Sequence, residues 1–335
     1  MTGQANSINE STTGIVGFTG TAFTATPVTN HAVILGSSTS SALGSVGPTA
    51  TAGQVLQSAG SSTDPLFSTA TYPTDAAVGD LIYGSATHVF SSLAISSIPG
   101  SRLEYNGTNV AWFNPLQETI LFEDWIATSV AGNLNWRNGT SNSGTIAIGS
   151  NVDSGHPGVV TMGTSTTTNG QAYLLLGQNS SAQPMILGGG AVTIIWIVQI
   201  PTLSTAVDEF AVACGLSANQ SGGTTLGNGC GFLYNDNGSL PNWQVYSSAG
   251  TPTQNDTGVA AVAGSWYHLR MDVNAGASSI AFTINEASVT GSPISTHIPT
   301  QAISPYCTLG KVAGTTNRSL YIDTFYTYQK LTSAR

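Results

Sequence analysis

Carboxylates, histidines, cysteines and one cluster of aromatics are the residues of this chain that could do chemistry, and their spacing excludes most of it. Hydrolysis of a glycosidic bond needs two carboxyl groups flanking that bond. Past residue 115 the glutamates are Glu118, Glu123, Glu209 and Glu286, scattered along the chain. Glu123 and Asp124 are adjacent, as are Asp208 and Glu209, so on a strand each pair points to opposite faces. Glu118 and Glu123 are an odd number of positions apart and diverge in the same way. The sequence has no Gly-x-Ser-x-Gly elbow and no His-Glu-x-x-His pair. These patterns predict a chain that is not an enzyme.

Metal and thiol chemistry fare no better. His31, His88, His156, His268 and His297 lie far apart without ligand spacing. The best oxygen-rich loop is Asn235-Asp236-Asn237-Gly238, which could offer calcium ligands but is also an ordinary Asn-Gly turn, and the turn is the better reading. No cofactor is expected. Cys214, Cys230 and Cys307 are an odd, sparse set, neither a disulfide framework nor a zinc site. The spacing leaves open a Cys214–Cys230 bridge across a hairpin, with buried free thiols the simpler alternative.

Binding is the chemistry that remains. Small-ligand sites combine apolar and aromatic surface with a few directed polar groups. Tyr234-Asn235-Asp236-Asn237 and Trp243-Gln244-Val245-Tyr246 bring both together near a hairpin. The expected ligand-binding residues are therefore Tyr234, Asn235, Asp236, Trp243, Gln244 and Tyr246. The competing assignment puts Trp243 and Tyr246 in the core or in a contact between subunits.

The elements that must position these residues are β-strands. Charged residues make up 7 % of the chain, far below the usual quarter, and Gly, Ser, Thr, Ala and Asn fill the deficit. Such residues are poor helix formers and suit strands and turns. Disorder is excluded by 40 % hydrophobic residues that include 6 Trp, 11 Tyr and 10 Phe. The formal charge of −9 and the absence of any Lys/Arg cluster argue against nucleic acid and against an anionic membrane surface. No apolar run is long enough to insert into a membrane as a helix. Residues 1–20 have neither a basic n-region nor an apolar h-region, which predicts synthesis in the cytoplasm without a signal peptide.

A composition shift near residue 115 predicts two regions, 1–115 and 116–335. The first is repetitive. Val33-Ile34-Leu35-Gly36-Ser37 recurs as Leu81-Ile82-Tyr83-Gly84-Ser85, and Gly53–Gly60 is echoed by Ser101–Gly107. Each copy ends near an aromatic strand, Pro65-Leu66-Phe67 or Val110-Ala111-Trp112-Phe113, and a partial copy precedes them at Gly14–Phe23. A unit of this length cannot bury a face alone. At about 1.5–3 kcal/mol per buried side chain, its few large apolar residues cannot offset roughly 1–2 kcal/mol of backbone entropy per residue. Other chains must complete the core, so an obligate oligomer is expected.

This stretch resembles the shaft repeats of phage tail fibres and related viral spikes. The likeness rests on the hydrophobic-Gly-Ser steps at 33–37 and 81–85 and on Ala52-Gly53-Gln54-Val55-Leu56 with Ser58, Gly60 and Pro65. It implies a homotrimer on the virion surface, attached to other virion proteins through its N-terminal region.

The second region has the strand signature throughout. Tyr267, Leu269, Met271 and Val273 alternate with His268, Arg270, Asp272 and Asn274, and Ile280, Phe282 and Ile284 alternate in the return strand. Val192–Val198 is apolar on both faces and reads as a central strand, and Leu320–Tyr328 as the last one. Phe122-Glu123-Asp124-Trp125, Leu134-Asn135-Trp136, His156-Pro157-Gly158-Val159-Val160, Trp266–Val273, Ile284-Asn285, Lys311–Thr316 and Ile322-Asp323-Thr324-Phe325 occur in the order found in concanavalin-like, laminin-G-like jelly rolls. The resemblance implies an antiparallel β-sandwich, with His156 and Asp323 in structural roles. Hydrolases of that fold carry a Glu-x-Asp-x-x-Glu strand, which this chain lacks. The expectation is an all-β fibre protein recognising a glycan or receptor on a host surface. A purely structural capsid-decoration or filament subunit is the alternative, and a polysaccharide depolymerase the third reading.

Overall fold

The computed structural model of the chain describes residues 14–18, 23–27, 32–35, 44–47, 49, 51–60, 63–98, 100–105, 108–126, 129–149, 154–177, 183–219, 223–235 and 241–333. Every regular element among them is a β-strand, so the all-β expectation holds. The chain divides into two compact units, Met1–Phe113 and Asn114–Arg335.

The first unit is a succession of small sheets. Strands β1 (Gly14–Phe18) and β2 (Phe23–Pro27) pair as a hairpin, as do β3 (Val33–Leu35) and β4 (Gly44–Val46). Strands β5 (Gln54–Gln57), β6 (Leu66–Thr71), β7 (Leu81–Ala86) and β8 (Val89–Leu93) form one sheet in the order β5-β6-β8-β7. Its two hairpins are joined by a single parallel pair, Thr71 with Val89. A last hairpin pairs β9 (Arg102–Tyr105) with β10 (Val110–Phe113). The sequence repeat thus has a structural counterpart. The copy at residue 33 supplies the hairpins β3-β4 and β5-β6, and the copy at residue 81 supplies β7-β8 and β9-β10.

The second unit is a sandwich of two antiparallel sheets. Its strands are β11 (Glu118–Glu123), β12 (Arg137–Ser141), β13 (Thr145–Gly149), β14 (Val159–Gly163), β15 (Gln171–Leu175), β16 (Gly190–Gln199), β17 (Phe210–Ser217) and β18 (Gly229–Asn235). They continue with β19 (Asn242–Ser248), β20 (Pro252–Ala260), β21 (Trp266–Val273), β22 (Ile280–Ile284), β23 (Ala287–Ser288), β24 (Ser304–Lys311) and β25 (Ser319–Leu331). One sheet runs β13-β14-β25-β16-β21-β22-β23, with β11 also on β25, and the other runs β12-β15-β24-β17-β18-β19-β20.

The long strand β25 organises the first of these sheets. Along one edge its residues 319–322 pair with β14 and residues 325–330 with β11, while β16 follows the other edge. At the changeover Ile197 faces Thr324 but Val198 faces Ile322, so Asp323 is the extra residue of a bulge. Strand β16 is central, but its burial alternates, with Thr193, Ile195 and Ile197 only half-buried.

Between the sheets lies one continuous core. At one end the rings of Trp125, Trp136, Trp196 and Phe325 interlock, with Trp136 4.9 Å from Phe325 and 5.6 Å from Trp196. At the other, Phe232 packs edge-on to Phe282 at 5.3 Å. Glu123 is fully buried beneath the first cluster. Its Oε2 accepts the Leu134 N–H at 2.9 Å and its Oε1 lies 3.4 Å from the Trp125 nitrogen, so this carboxylate anchors a loop.

The cysteines do not pair as a Cys214–Cys230 hairpin bridge. Cys214 stands opposite Phe232, and Cys230 opposite Leu216. The neighbour of Cys214 is instead Cys307 on β24, with the two sulfurs 2.9 Å apart, and all three thiols are buried and free.

Candidate functional site

The residues expected to hold a ligand do not converge on an open surface. Tyr234 and Trp243 point into the core, fully buried, with their ring centres 6.0 Å apart. Tyr267 packs on Trp243 at 5.4 Å, and the Tyr234 hydroxyl accepts the Ser204 N–H. Both rings are therefore structural: for Trp243 this is the competing core assignment, and for Tyr234 it corrects the expected site. Gln244 and Tyr246 face the other way, onto the outer face of the seven-stranded sheet, yet they too are buried. Asn235 is exposed at the end of β18, while Asp236, with the rest of the oxygen-rich turn Asn237-Gly238, lies outside the described residues.

Tyr246 is covered because the loop 223–228 seals this outer face. Leu226 is fully buried among Tyr173, Leu175, Ala213, Leu233, Tyr246 and Tyr306 in a second small core. Backbone carbonyls of the loop accept from the sheet: Tyr246 donates to Gly227 at 2.8 Å, Ser217 to Leu226 at 2.6 Å and Thr308 to Gly223 at 2.9 Å. Gly310 makes room for it, since a Cβ there would stand 3.0 Å from the Gly223 oxygen.

The outer face of the eight-stranded sheet is built differently. Its register aligns side chains from strands far apart in sequence into rows. One row runs Phe122, Tyr326, Ile195, Arg270, Thr283 across β11, β25, β16, β21 and β22. The next runs Ile120, Tyr328, Thr193, Asp272, Ala281. A third, past the bulge, aligns Thr161, Tyr321, Gln199 and Trp266. Four inter-strand gaps of about 4.8 Å make each five-strand row roughly 19 Å long. Phe122 is 52 % exposed and Ile120 42 %, and Tyr321, Tyr326, Tyr328, Ile195, Ile197 and Trp266 are half-buried.

Directed polar groups sit among these rings. The Arg270 guanidinium donates to both carboxylate oxygens of Asp272, at 2.8 and 3.0 Å, and Thr193 donates to Asp272 at 2.6 Å. The bond to Asp272 raises the pKa of Arg270 above its already high ordinary value. His268 Nδ1 lies 2.7 Å from Glu286. At the bulge, His156 Nδ1 is 3.0 Å from Asp323 Oδ2 while its ring stacks on Trp266 at 3.9 Å. Among the described residues no group of three His, Cys, Asp or Glu side chains is placed to hold a metal ion. The face offers aromatic and aliphatic surface interleaved with hydroxyls, a fixed guanidinium and two imidazoles. That is a binding chemistry, suited to a ligand with both apolar faces and hydroxyl groups.

A family model described as "SO2946-like, C-terminal domain" matches residues 155–323, half of the chain. The chain belongs to the SO2946-like C-terminal domain family. The match starts just before the His156 loop and ends at the Asp323 bulge, so the SO2946-like domain spans both sheets from β14 to the first half of β25. Comparison with curated proteins gives no match. Among solved structures, a protein of unknown function, SO2946 from Shewanella oneidensis MR-1, is 14 % identical with a TM-score of 0.47, covering 65 % of this chain and 89 % of that one. The carbohydrate recognition domain of Emp47p is 14 % identical with a TM-score of 0.45, covering 65 % of this chain and all of that one (100 %). The carbohydrate esterase vb_24B_21 from the Shiga toxin-encoding bacteriophage phi24B is 13 % identical with a TM-score of 0.40, covering 64 % and 98 %.

The residues of this face were individually visible in the sequence but not as a set. The alternation of His268, Arg270 and Asp272 marks one strand's outward side. Their partners Phe122, Ile195 and Tyr326 come from three other strands, and only the non-local register joins them.

Proposed function

We propose that the chain is a virion fibre or spike protein. Its repetitive N-terminal unit assembles it as an oligomer, and its SO2946-like sandwich binds a glycan on the host surface. The observation that carries the binding reading is the open outer face of the eight-stranded sheet, with Phe122, Tyr326 and Tyr328 beside Arg270, Asp272 and Thr193. Aromatic faces pack on the apolar side of a sugar ring, and the polar groups between them fix its orientation. The role is binding rather than catalysis: the buried Glu123 is committed to a loop, and Asp272 is committed to Arg270 and Thr193.

The assembly reading is supported by the first unit's exposed apolar side chains, including Leu66 and Ile82, each 44 % exposed, and Ile95 at 61 %. A trimer is the number that the shaft-repeat resemblance implies, with other virion proteins held through the same unit.

Presenting the full-length chain to a glycan array and to host cells tests this. Binding is expected, and Phe122→Ala with Tyr326→Ala should abolish it without lowering the melting temperature by more than a few degrees. Light scattering gives the mass. The purely structural alternative is favoured by one feature, the adjacent exposure of Ile120 and Phe122 on β11, which a neighbouring subunit would cover. Absence of binding together with open-ended polymers would establish that alternative.

A further inference from the structure

Strands β17 and β24 are neighbours in the middle of the seven-stranded sheet, and their register sets Cys214 directly opposite Cys307. Both strands alternate between the two cores. Val212, Cys214 and Leu216 on β17, with Cys307 and Leu309 on β24, belong to the core between the sheets, whereas Ala213 and Tyr306 belong to the small outer one. The two thiols therefore share one face as well as one register position. Residues directly opposed on antiparallel strands have Cα atoms about 4.5 or 5.5 Å apart, inside the range of roughly 4.4–6.8 Å that a disulfide spans. The sulfurs are 2.9 Å apart, nearer than the roughly 3.5–4.0 Å at which the smaller nonbonded carbons rest.

The third thiol is placed differently. Cys230 faces the same core but stands opposite Leu216, diagonal to Cys214. Among the described residues no His, Cys, Asp or Glu side chains join the pair in a group that could hold a metal ion. Sulfur–sulfur chemistry is what this placement allows.

We propose that Cys214 and Cys307 are a disulfide site, closed when the chain folds in contact with a disulfide oxidant such as oxidised glutathione. The site does not depend on the glycan reading of the outer face. One cysteine thiolate attacks a sulfur of the oxidant and expels a glutathione thiolate, and the other then attacks the mixed disulfide and expels the second. The two cysteines give up two protons and two electrons, and the oxidant becomes two molecules of glutathione. Burial, with the Cys214 thiol beside it, raises the Cys307 pKa well above its ordinary value. Inside the finished core this thiol is a poor nucleophile, so exchange belongs to the stage at which β24 docks on β17 and water still reaches both sulfurs. The same burial then shields the bond from thiol reductants. The bridge ties together positions 93 residues apart, and closing so long a loop restricts the unfolded chain.

Cell-free synthesis of the full-length chain, in a glutathione redox buffer and in parallel with dithiothreitol, tests the site. Iodoacetamide added in denaturant should label one cysteine in the first preparation and all three in the second, read by intact mass. Trypsin cuts after Arg137, Arg270 and Lys311, which leaves Cys214 and Cys230 in peptide 138–270 and Cys307 in peptide 271–311. The bond should link those two peptides, persist in Cys230→Ala and vanish in Cys307→Ala. It should also raise the melting temperature by roughly 5–15 °C. Three labelled cysteines in the chain from the redox buffer, shown by circular dichroism to be folded, would overturn the site. So would a link closed within peptide 138–270, or one lost in folded Cys230→Ala.

Discussion

The two units of this chain are made of the same element and hold it together by opposite means. In Asn114–Arg335, two wide sheets close over a shared core in which Trp125, Trp136, Trp196 and Phe325 are essentially inaccessible. In Met1–Phe113, the described strands form two-stranded hairpins and one four-stranded sheet, and none of the described hydrophobic side chains is fully buried. Among its described residues Tyr72 stacks on Phe90 at 4.7 Å. An isolated hairpin is marginal in water, because backbone entropy is lost before enough apolar area is gained. The second unit obtains that area within its own chain; the first leaves Leu66, Ile82 and Ile95 exposed.

This difference is broken most decisively by separating the units. Residues 114–335 should remain folded at any concentration, with a cooperative melt. Residues 1–113 should lose their strand signal in circular dichroism on dilution, as oligomers dissociate. A folded, monomeric 1–113 segment would remove the basis for assembly through the shaft.

Single substitutions sharpen the contrast. Trp136→Ala empties the centre of the aromatic cluster and should cost about 3–5 kcal/mol in chemical denaturation, the usual range for a buried aromatic truncated to alanine. Ile82→Ala should behave differently in the two states of its unit. As an exposed residue of a monomer it would change stability by less than about 0.5 kcal/mol. Covered by partner chains, it should cost about 2–5 kcal/mol per copy, read as oligomer dissociation at higher concentration. A negligible effect on dissociation would place Ile82 outside any interface.

The sequence made parts of this structure readable and hid others for identifiable reasons. Tyr267, Leu269, Met271 and Val273 alternate because one face of β21 is core and the other half-open, so the alternation itself separates the two sets. The repeat was readable because its hairpins are local. The inward direction of Tyr234 and Trp243 is not legible because β17, β18 and β19 are buried on both faces, which erases the alternation that tells in from out. The second covering comes from the loop 223–228, which carries no periodic signal. Likewise, Cys214 meets Cys307 through a strand pairing with a separation of 93 residues, beyond any local pattern. The rows of the candidate face are non-local in the same sense, since Phe122 and Tyr326 come from opposite ends of the unit.

The smallest effect concerns how the sandwich fastens its loops. The turn after β24 wraps around Asp208, whose carboxylate accepts the backbone N–H groups of Thr315 and Thr316 at 3.0 and 2.9 Å and the Thr316 hydroxyl at 2.7 Å. Arg318 lies 3.4 Å away, and Lys311, itself buried, donates to the Ser165 and Thr316 carbonyls. The Thr316 backbone and hydroxyl bonds, aided by Arg318, hold the Asp208 carboxyl below its ordinary value, while burial pushes the Lys311 ammonium down. A carboxyl with a depressed folded pKa adds stability above its unfolded value of about 3.9, and that contribution is lost as pH falls through the folded value. Asp208→Asn should therefore lower the melting temperature at pH 7, and the gap to the parent chain should narrow as both are titrated below pH ~4. A gap that stays constant across that range would show that shape rather than charge holds the turn, and would leave Lys311 and its two carbonyls as the fastening.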